Sequence, residues 1–436
     1  MSEKHMEIIG PDEKISPVKS GVFGIQHFMA LISGGAIVPA LLMGLDPSIA
    51  LMCTGIGTLI FLLVTKGRIP AYLGVSFTLI SAVVLVAGSQ GIPAALGGVV
   101  AIGVIYIIIG AIIKATGTGW LTRIFPPVVT GSIIACIGIG LAPDAISMVF
   151  KDAGGFSPIV FGIGMLTLIS CIAFSSIRGG FISTLPVLLA IVLGYIVCIP
   201  CGLVDFQPIA DASWLGLPNI TTPVFDLSAI LCIAPIAFVI IVDHLGKILM
   251  ISGVCNRDYI PMLPKSLIGN GIATAISGAL GGPAITPIAE NIGVMGVSRV
   301  YAVRPYWVAA TLSLIAGGFC PKFSALLLSI PDPVLGGVSL LLFGMIAANG
   351  IRMFVDNDVD FGDNRNMMVA SVTLIVGIGM MTSFTTIPVG EFFTIPGLLL
   401  ATILAVVLNV VVPSSADAAN DDADPGQNEN EPQSAD

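Results

Sequence analysis

Charge is what this sequence has least of. Asp, Glu, Lys and Arg together make up 10% of the 436 residues, aromatics 7%, and there are three histidines. A soluble globular chain carries about 25% charged residues, so this composition, with a mean hydropathy of +1.03, excludes a water-soluble enzyme or nucleic-acid-binding domain. The alternation of apolar and polar residues that a membrane β-barrel needs is also absent. The 51 Gly and 29 Pro fit close-packed, deliberately broken helices instead. No cleavable signal peptide is visible, because Met1 to Ser20 is polar and charged and the first apolar run is long enough to span. The eight cysteines form no disulfide framework: Cys53, Cys136, Cys171 and Cys232 sit inside apolar runs as small hydrophobes. Cys198 and Cys201 make a CxxC at the end of a run, with no second pair to complete a zinc or redox site. No metal and no cofactor is therefore expected.

What is present is a series of apolar stretches. Seven run from Gly21 to Cys201, a polar loop with Asp205, Asp211 and Asp226 follows, and seven more run from Leu227 to Val412. The reading is an all-α polytopic membrane protein of about fourteen segments, with residues 1–20 and 413–436 outside the membrane. Fifteen of the 17 Lys and Arg residues fall toward one side of this arrangement, only Lys151 and Lys322 toward the other, which puts both termini in the cytoplasm and the chain in the plasma membrane. The tail after Pro413 has no basic or large apolar residue and reads as disordered. Its seven acids account for most of the net charge of −9, so the acidity says nothing about a substrate.

The two groups of seven echo each other. FPPVVTGSIIACIGIGLA from Phe125 resembles IPDPVLGGVSLLLFGMIAANG from Ile330, and Gln26-His27 in the first segment matches Asp243-His244 in the eighth. The third and tenth segments, PAYLGVSF and GGPAITPIAEN, are a broken pair in corresponding positions. Seven is odd, so the halves have opposite orientation, and paired interrupted segments point to a midplane binding site in an inverted-repeat transporter.

The stretch Gly281 to Val300 carries that site. Pro283 and Pro287 break it, a short helix can begin only near Glu290, and the free N–H groups of such a half-helix lie beside an intramembrane carboxylate. Polar groups at this depth are functional by default, which selects His27, Asp243, His244, Glu290 and Asn291. Each also has a structural reading as an interhelical hydrogen bond. For Asp243 that reading is a partner four residues on, Lys247, one helical turn away. Phe77 follows the break in the third segment and joins the candidates by position, with Ser76 beside it and Gly34 in the first segment.

QHFMALISGGAIVP, PAYLGVSFTLISAV, FPPVVTGSII, ENIGVMGVSRVY and PDPVLGGVSLLLFGMIAANGIR together resemble the nucleobase/ascorbate transporter family, and ENIGVM resembles its bacterial uracil permease branch. The family signature falls on Glu290, Asn291, Ile292, Gly293, Ser298 and Arg299, with Ser298 where Thr is usual and Arg299 where a basic residue or Gly is found. The resemblance implies two inverted seven-segment repeats, a core domain (about 21–115 and 227–320), a gate domain (about 116–226 and 321–412), a homodimer and elevator-like movement. It implies import of uracil held by Asp243 and Glu290, by backbone N–H groups near Phe77 and Ala289, and against the Phe77 ring. It also implies proton coupling through Asp243, Glu290, His27 or His244, with Na⁺ as the alternative ion. The pattern is departed from at two places: Asp243 and Lys247 stand where Glu and a second His are typical, and Ile288-Ala289 where an aromatic and Gly are common. Purine-selective relatives open the signature with Gln, so a xanthine or urate permease is the nearer rival. An anion transporter of the same fold would leave the half-helix ends free, and a membrane enzyme would need a paired-ligand motif such as HExxH, which is absent.

Overall fold

The computed structural model describes residues 8–152, 155–177, 185–383, 385–389 and 393–414. The acidic tail beyond residue 414 lies outside the described residues. The first half runs α1 (Pro17–Ala30), a π-helical segment (Leu31–Ala36), α2 (Ile37–Leu42), α3 (Pro47–Val64), strand β1 (Leu73–Val75), a 3-10 turn (Phe77–Leu79), α4 (Ile80–Gln90) and α5 (Ile92–Thr116). It continues with α6 (Gly119–Ile124), α7 (Pro127–Gly140), α8 (Ala142–Phe150), the short strands β2 (Lys151–Asp152) and β3 (Gly155–Phe156), α9 (Pro158–Ser175) and α10 (Pro186–Cys198). After α11 (Gln207–Asp211) come α12 (Leu227–Ile233), a second 3-10 turn (Ala234–Ile236), α13 (Ala237–Cys255), α14 (Leu263–Ala279), β4 (Ile285–Pro287) and α15 (Ala289–Ser298). The chain closes with α16 (Arg304–Phe319), α17 (Pro321–Leu328), α18 (Asp332–Asp356), α19 (Asn364–Thr382), the hairpin β5 (Thr386–Val389) and β6 (Phe393–Pro396), and α20 (Gly397–Val411).

By length and apolarity, seven helical spans among the described residues can cross a membrane, or up to nine when two bent pairs are each taken as one span. The count of fourteen therefore does not follow from helix length. The remaining stretches are short units: α10, α14, α20 and the two strand–helix segments at β1 and β4. Helix starts follow local chemistry. Asp46, Ser157 and Asp363 cap α3, α9 and α19 with their side chains, and Pro47 and Pro158 fill first positions where no N–H is needed. Asp226 caps α12 through Ala229 and Ser228, and these amides hold its carboxyl below the usual carboxylate range. Large apolar side chains left exposed on α9 and α19, among them Ile159, Ile169 and Ile375, are what a lipid-facing helix surface requires.

The packing has the symmetry expected of inverted repeats. Helix α3 lies on α16 and α5 on α14; α9 lies on α18 and α7 on α19; α9 pairs with α10 and α19 with α20. Exchanging the halves converts each packing into its counterpart and leaves α7 against α18 unchanged. Small residues permit the closest of these approaches. A Cβ at Gly131 would run into the Gly350 carbonyl, and one at Gly350 into the Gly131 carbonyl, so α7 and α18 meet backbone to backbone.

Two local features go beyond what the sequence shows. The first apolar stretch bends by 53° across the π-helical segment, where Gly34 and Gly35 lie. Residues 8–16 are held against the end of α15 and its neighbours. Ile9 bridges the turn after α15, accepting from Tyr301 N–H at 2.8 Å and donating to the Arg299 carbonyl at 3.0 Å. Ile15 is buried against Val300 and Ala302, and Asp12 pairs with Arg257 at 2.7 Å.

Candidate functional site

The site is built on a two-stranded antiparallel ladder in the protein interior. Leu73 faces Pro287, Gly74 faces Thr286 and Val75 faces Ile285. The ladder is extended at each end by an equivalent bond: Ser76 N–H donates to the Ala284 carbonyl at 2.9 Å, and Ile288 N–H to the Tyr72 carbonyl at 3.2 Å. Each strand is pinned by a threonine from a flanking helix. Thr58 of α3 accepts from Leu73 N–H at 3.0 Å, and Thr274 of α14 donates to the Ile285 carbonyl at 3.2 Å. The repeat symmetry thus reaches individual side chains, and neither threonine stood out in the sequence, where Thr in an apolar run is unremarked.

Each strand leads into a helix start, one at either end of the ladder. Ser76 precedes the turn into α4, Ile288 precedes α15, and neither side chain caps its helix. The first N–H groups of both segments, including those of Phe77 and Ala289, therefore have no partner within their own helix, and each carries the positive end of a helix dipole. The tenth segment breaks as expected, but α15 starts at Ala289, so Glu290 lies in its first turn.

Around these starts the structure gathers most of the residues singled out above. The Glu290 carboxylate lies against Gly34, so close that a Cβ there would sit 3.1 Å from Oε1 and 3.3 Å from Leu342 Cδ1 of α18. The Phe77 ring meets Phe343 of α18 edge to face at a centroid separation of 6.0 Å. Leu342 and Phe343 were missed in the sequence, where the α18 repeat showed symmetry but offered no polar group to mark a site. On α13, Asp243 and Lys247 form an ion pair at 2.6 Å, with side chains 16% and 17% exposed; both lie within electrostatic reach of Glu290. Ser76 is buried, and its hydroxyl has no partner among the described residues.

The two histidines are committed elsewhere. Asn291 Nδ2 donates to the His27 carbonyl and to His27 Nδ1, both at 3.1 Å, and the His27 ring lies 4.4 Å from that of Tyr306. An accepting Nδ1 puts the ring proton on Nε2. His244 Nε2 meets Ser266 Oγ of α14 at 2.7 Å, and its ring sits edge to face with Tyr106 of α5 at 6.1 Å. Each histidine of the first and eighth segments thus packs on a tyrosine contributed by the other half. Asn291 fixes α15 to α1, one residue from Glu290.

Residues 18–386 match the sequence profile of the permease family that takes in the nucleobase/ascorbate transporters. The chain belongs to this family. It is 39% identical to the "Uracil permease" of Bacillus subtilis (strain 168), over 97% of this chain and 98% of that one. It is 41% identical to the "Uracil permease" of Bacillus caldolyticus, over 91% and 92%, and 37% identical to that of Escherichia coli (strain K12), over 92% and 93%. Solved structures share the fold. The transmembrane domain of a cyanobacterium bicarbonate transporter, BicA, superposes with a TM-score of 0.60 at 18% identity, covering 93% of this chain and 100% of that domain. SLC26A9 gives 0.67 at 10% identity, covering 90% and 64%.

In this permease the end of the signature is structural. Arg299 ends α15 in the left-handed region at φ 53°, which explains why Gly is the alternative at that position. Ser298 Oγ accepts from Val300 N–H at 3.4 Å, a contact Ser and Thr hydroxyls make equally well. A Cβ at Gly293 would meet nothing within 4 Å, so steric crowding does not account for that glycine.

Proposed function

We propose that this permease imports a nucleobase, most directly uracil, by proton symport and alternating access of the elevator type. The observation that carries the reading is the pairing of two uncapped helix starts with the Glu290 carboxylate and the Phe77 ring. Uracil offers two N–H donors and two carbonyl acceptors on a flat ring. Carboxylates take the N–H groups, backbone amides at Phe77 and Ala289 take the carbonyls, and the aromatic face takes the ring. The relatives named as uracil permeases point to the same substrate.

Movement is assigned to a core of about 21–115 and 227–320 sliding against a gate of about 116–226 and 321–412. The contacts of Gly34 and Phe77 with α18 cross that boundary, as does a cavity of ≈ 490 Å³ between α2 and α4 on one side and α7, α8 and α19 on the other. Both termini are assigned to the cytoplasm and the working unit is taken as a homodimer. Protons are the coupling ion, with Na⁺ as the alternative. An inorganic anion is a poorer fit despite the shared fold, because two carboxylates repel it.

Uptake of labelled uracil into proteoliposomes, competed with uracil, xanthine, hypoxanthine and sulfate, tests the reading. Competition by uracil alone is expected. Competition by xanthine and hypoxanthine instead would make it a purine permease, and competition by sulfate an anion carrier.

A further inference from the structure

Charge balance in the site leaves Lys247 without a role in the reading so far. A lysine inside a membrane protein is costly unless paired, and this one is paired at 2.6 Å, one helical turn from its carboxylate, with both side chains mostly shielded from water. Around Glu290 the titratable and charged groups are few. Helix α13 contributes Asp243, Lys247 and His244, α1 contributes His27, α16 Tyr306 and α5 Tyr106; the α18 neighbours Leu342 and Phe343 are apolar. His27 spends Nδ1 as an acceptor from Asn291, so a proton there would set donor against donor. His244 Nε2 is tied to Ser266 of α14 and its ring packs on Tyr106 of α5, while its Nδ1 is buried without a partner among the described residues, so a second proton there is read out by the charge stoichiometry below. Of the two carboxylates, one is balanced by an ammonium and one is not.

We propose that Lys247 is a tethered cation that neutralises Asp243 through the whole transport cycle, leaving Glu290 as the sole carrier of the coupling proton. The binding site then has no net charge when Glu290 is protonated and one negative charge when it is ionised. A neutral site crosses the low-dielectric interior far more cheaply than a charged one. The protonated carboxyl still suits a nucleobase, since it accepts an N–H and donates its O–H to the adjacent carbonyl, a two-bond pairing that a carboxylate cannot make. The proton enters on one side of the membrane and leaves Glu290 on the other after the substrate departs.

The inference rests on the transport reading above and is tested in proteoliposomes that hold a potential and no pH gradient. At a potential that alone sustains a tenfold gradient of a monovalent cation, one charge per substrate accumulates uracil tenfold and two charges accumulate it a hundredfold. Wild type is expected near tenfold; a hundredfold gradient would overturn the proposal, because a second group, Asp243 or His244, would then also carry a proton. Lys247→Gln should slow uptake at least tenfold at neutral pH and recover at acidic pH, where the orphaned Asp243 is neutralised by a proton. Adding Asp243→Asn to that variant, whatever it costs in uracil affinity, should remove the acid dependence of the uptake that remains. Wild-type uptake and pH profile in Lys247→Gln alone would also overturn it, as would an acid dependence that persists unchanged in the double variant. Failure of wild type to take up any nucleobase would refute the transport reading instead, and is recognised by that.

Discussion

Asn291 offers the sharpest test of how the half-helix is held. Asn291→Ala removes two N–H donors that bind His27 Nδ1 and the His27 carbonyl at 3.1 Å, both in the buried interior. Two such bonds contribute about 1–3 kcal/mol net. The His27 carbonyl keeps a second donor, the N–H of Leu31, so its loss is mild; the ring Nδ1 is orphaned, at a cost of about 1–3 kcal/mol. Against this, Asn291 Oδ1 is unpartnered in the native structure, and truncation removes that liability, worth a comparable ~1–3 kcal/mol. The expected net loss is about 1–3 kcal/mol of stability. Function should suffer as well. Glu290 is the preceding residue, and stretching one bond between it and the substrate costs about 1.5 kcal/mol, or roughly tenfold in Kd. The assay is thermal unfolding of the purified protein with calorimetric uracil binding, run as a double-mutant cycle with His27→Phe, which keeps a ring against Tyr306. Direct coupling should appear as an interaction energy of about 0.5 kcal/mol or more. Additive effects within error, with uracil affinity intact, would refute the idea that this contact positions the site.

Three further outcomes are expected. Glu290→Gln imitates the protonated acid, so uracil binding and counterflow exchange should persist while accumulation driven by an inward pH gradient disappears; accumulation equal to wild type would move the coupling group elsewhere. Phe343→Ala removes the edge-to-face contact with Phe77, worth about 0.5–1.5 kcal/mol, and should weaken uracil binding roughly two- to tenfold; an unchanged Kd would detach α18 from the site. The native Cys201, exposed just after α10, should react with a membrane-impermeant maleimide added to intact cells, and labelling only after lysis would invert the assigned topology.

The membrane class, the helical character and the duplication were decided by the sequence alone. Burial of an uninterrupted backbone in lipid demands long apolar runs and forbids irregular structure except around a polar cavity, so Pro283, Pro287 and Glu290 stood out against their surroundings. The positions of the two breaks could be read for the same reason. The tertiary structure decided what those breaks become: two strands whose paired residues lie about 210 positions apart in the chain, such as Gly74 with Thr286, a pairing set by register and not by local propensity. It also divided the polar residues by task. His27, His244 and Asn291 look alike to Glu290 in an apolar sequence, yet their hydrogen bonds tie helices together, while Glu290 faces Gly34 from the first turn of α15. Apolar partners such as Leu342 and Phe343 could not be found from the sequence, because membrane spans are apolar throughout and only proximity distinguishes a site wall from a lipid-facing surface. The π-helical bend in the first segment was hidden for a related reason: Gly34 and Gly35 permit it, but the packing of Ile288 against Gly35 selects it.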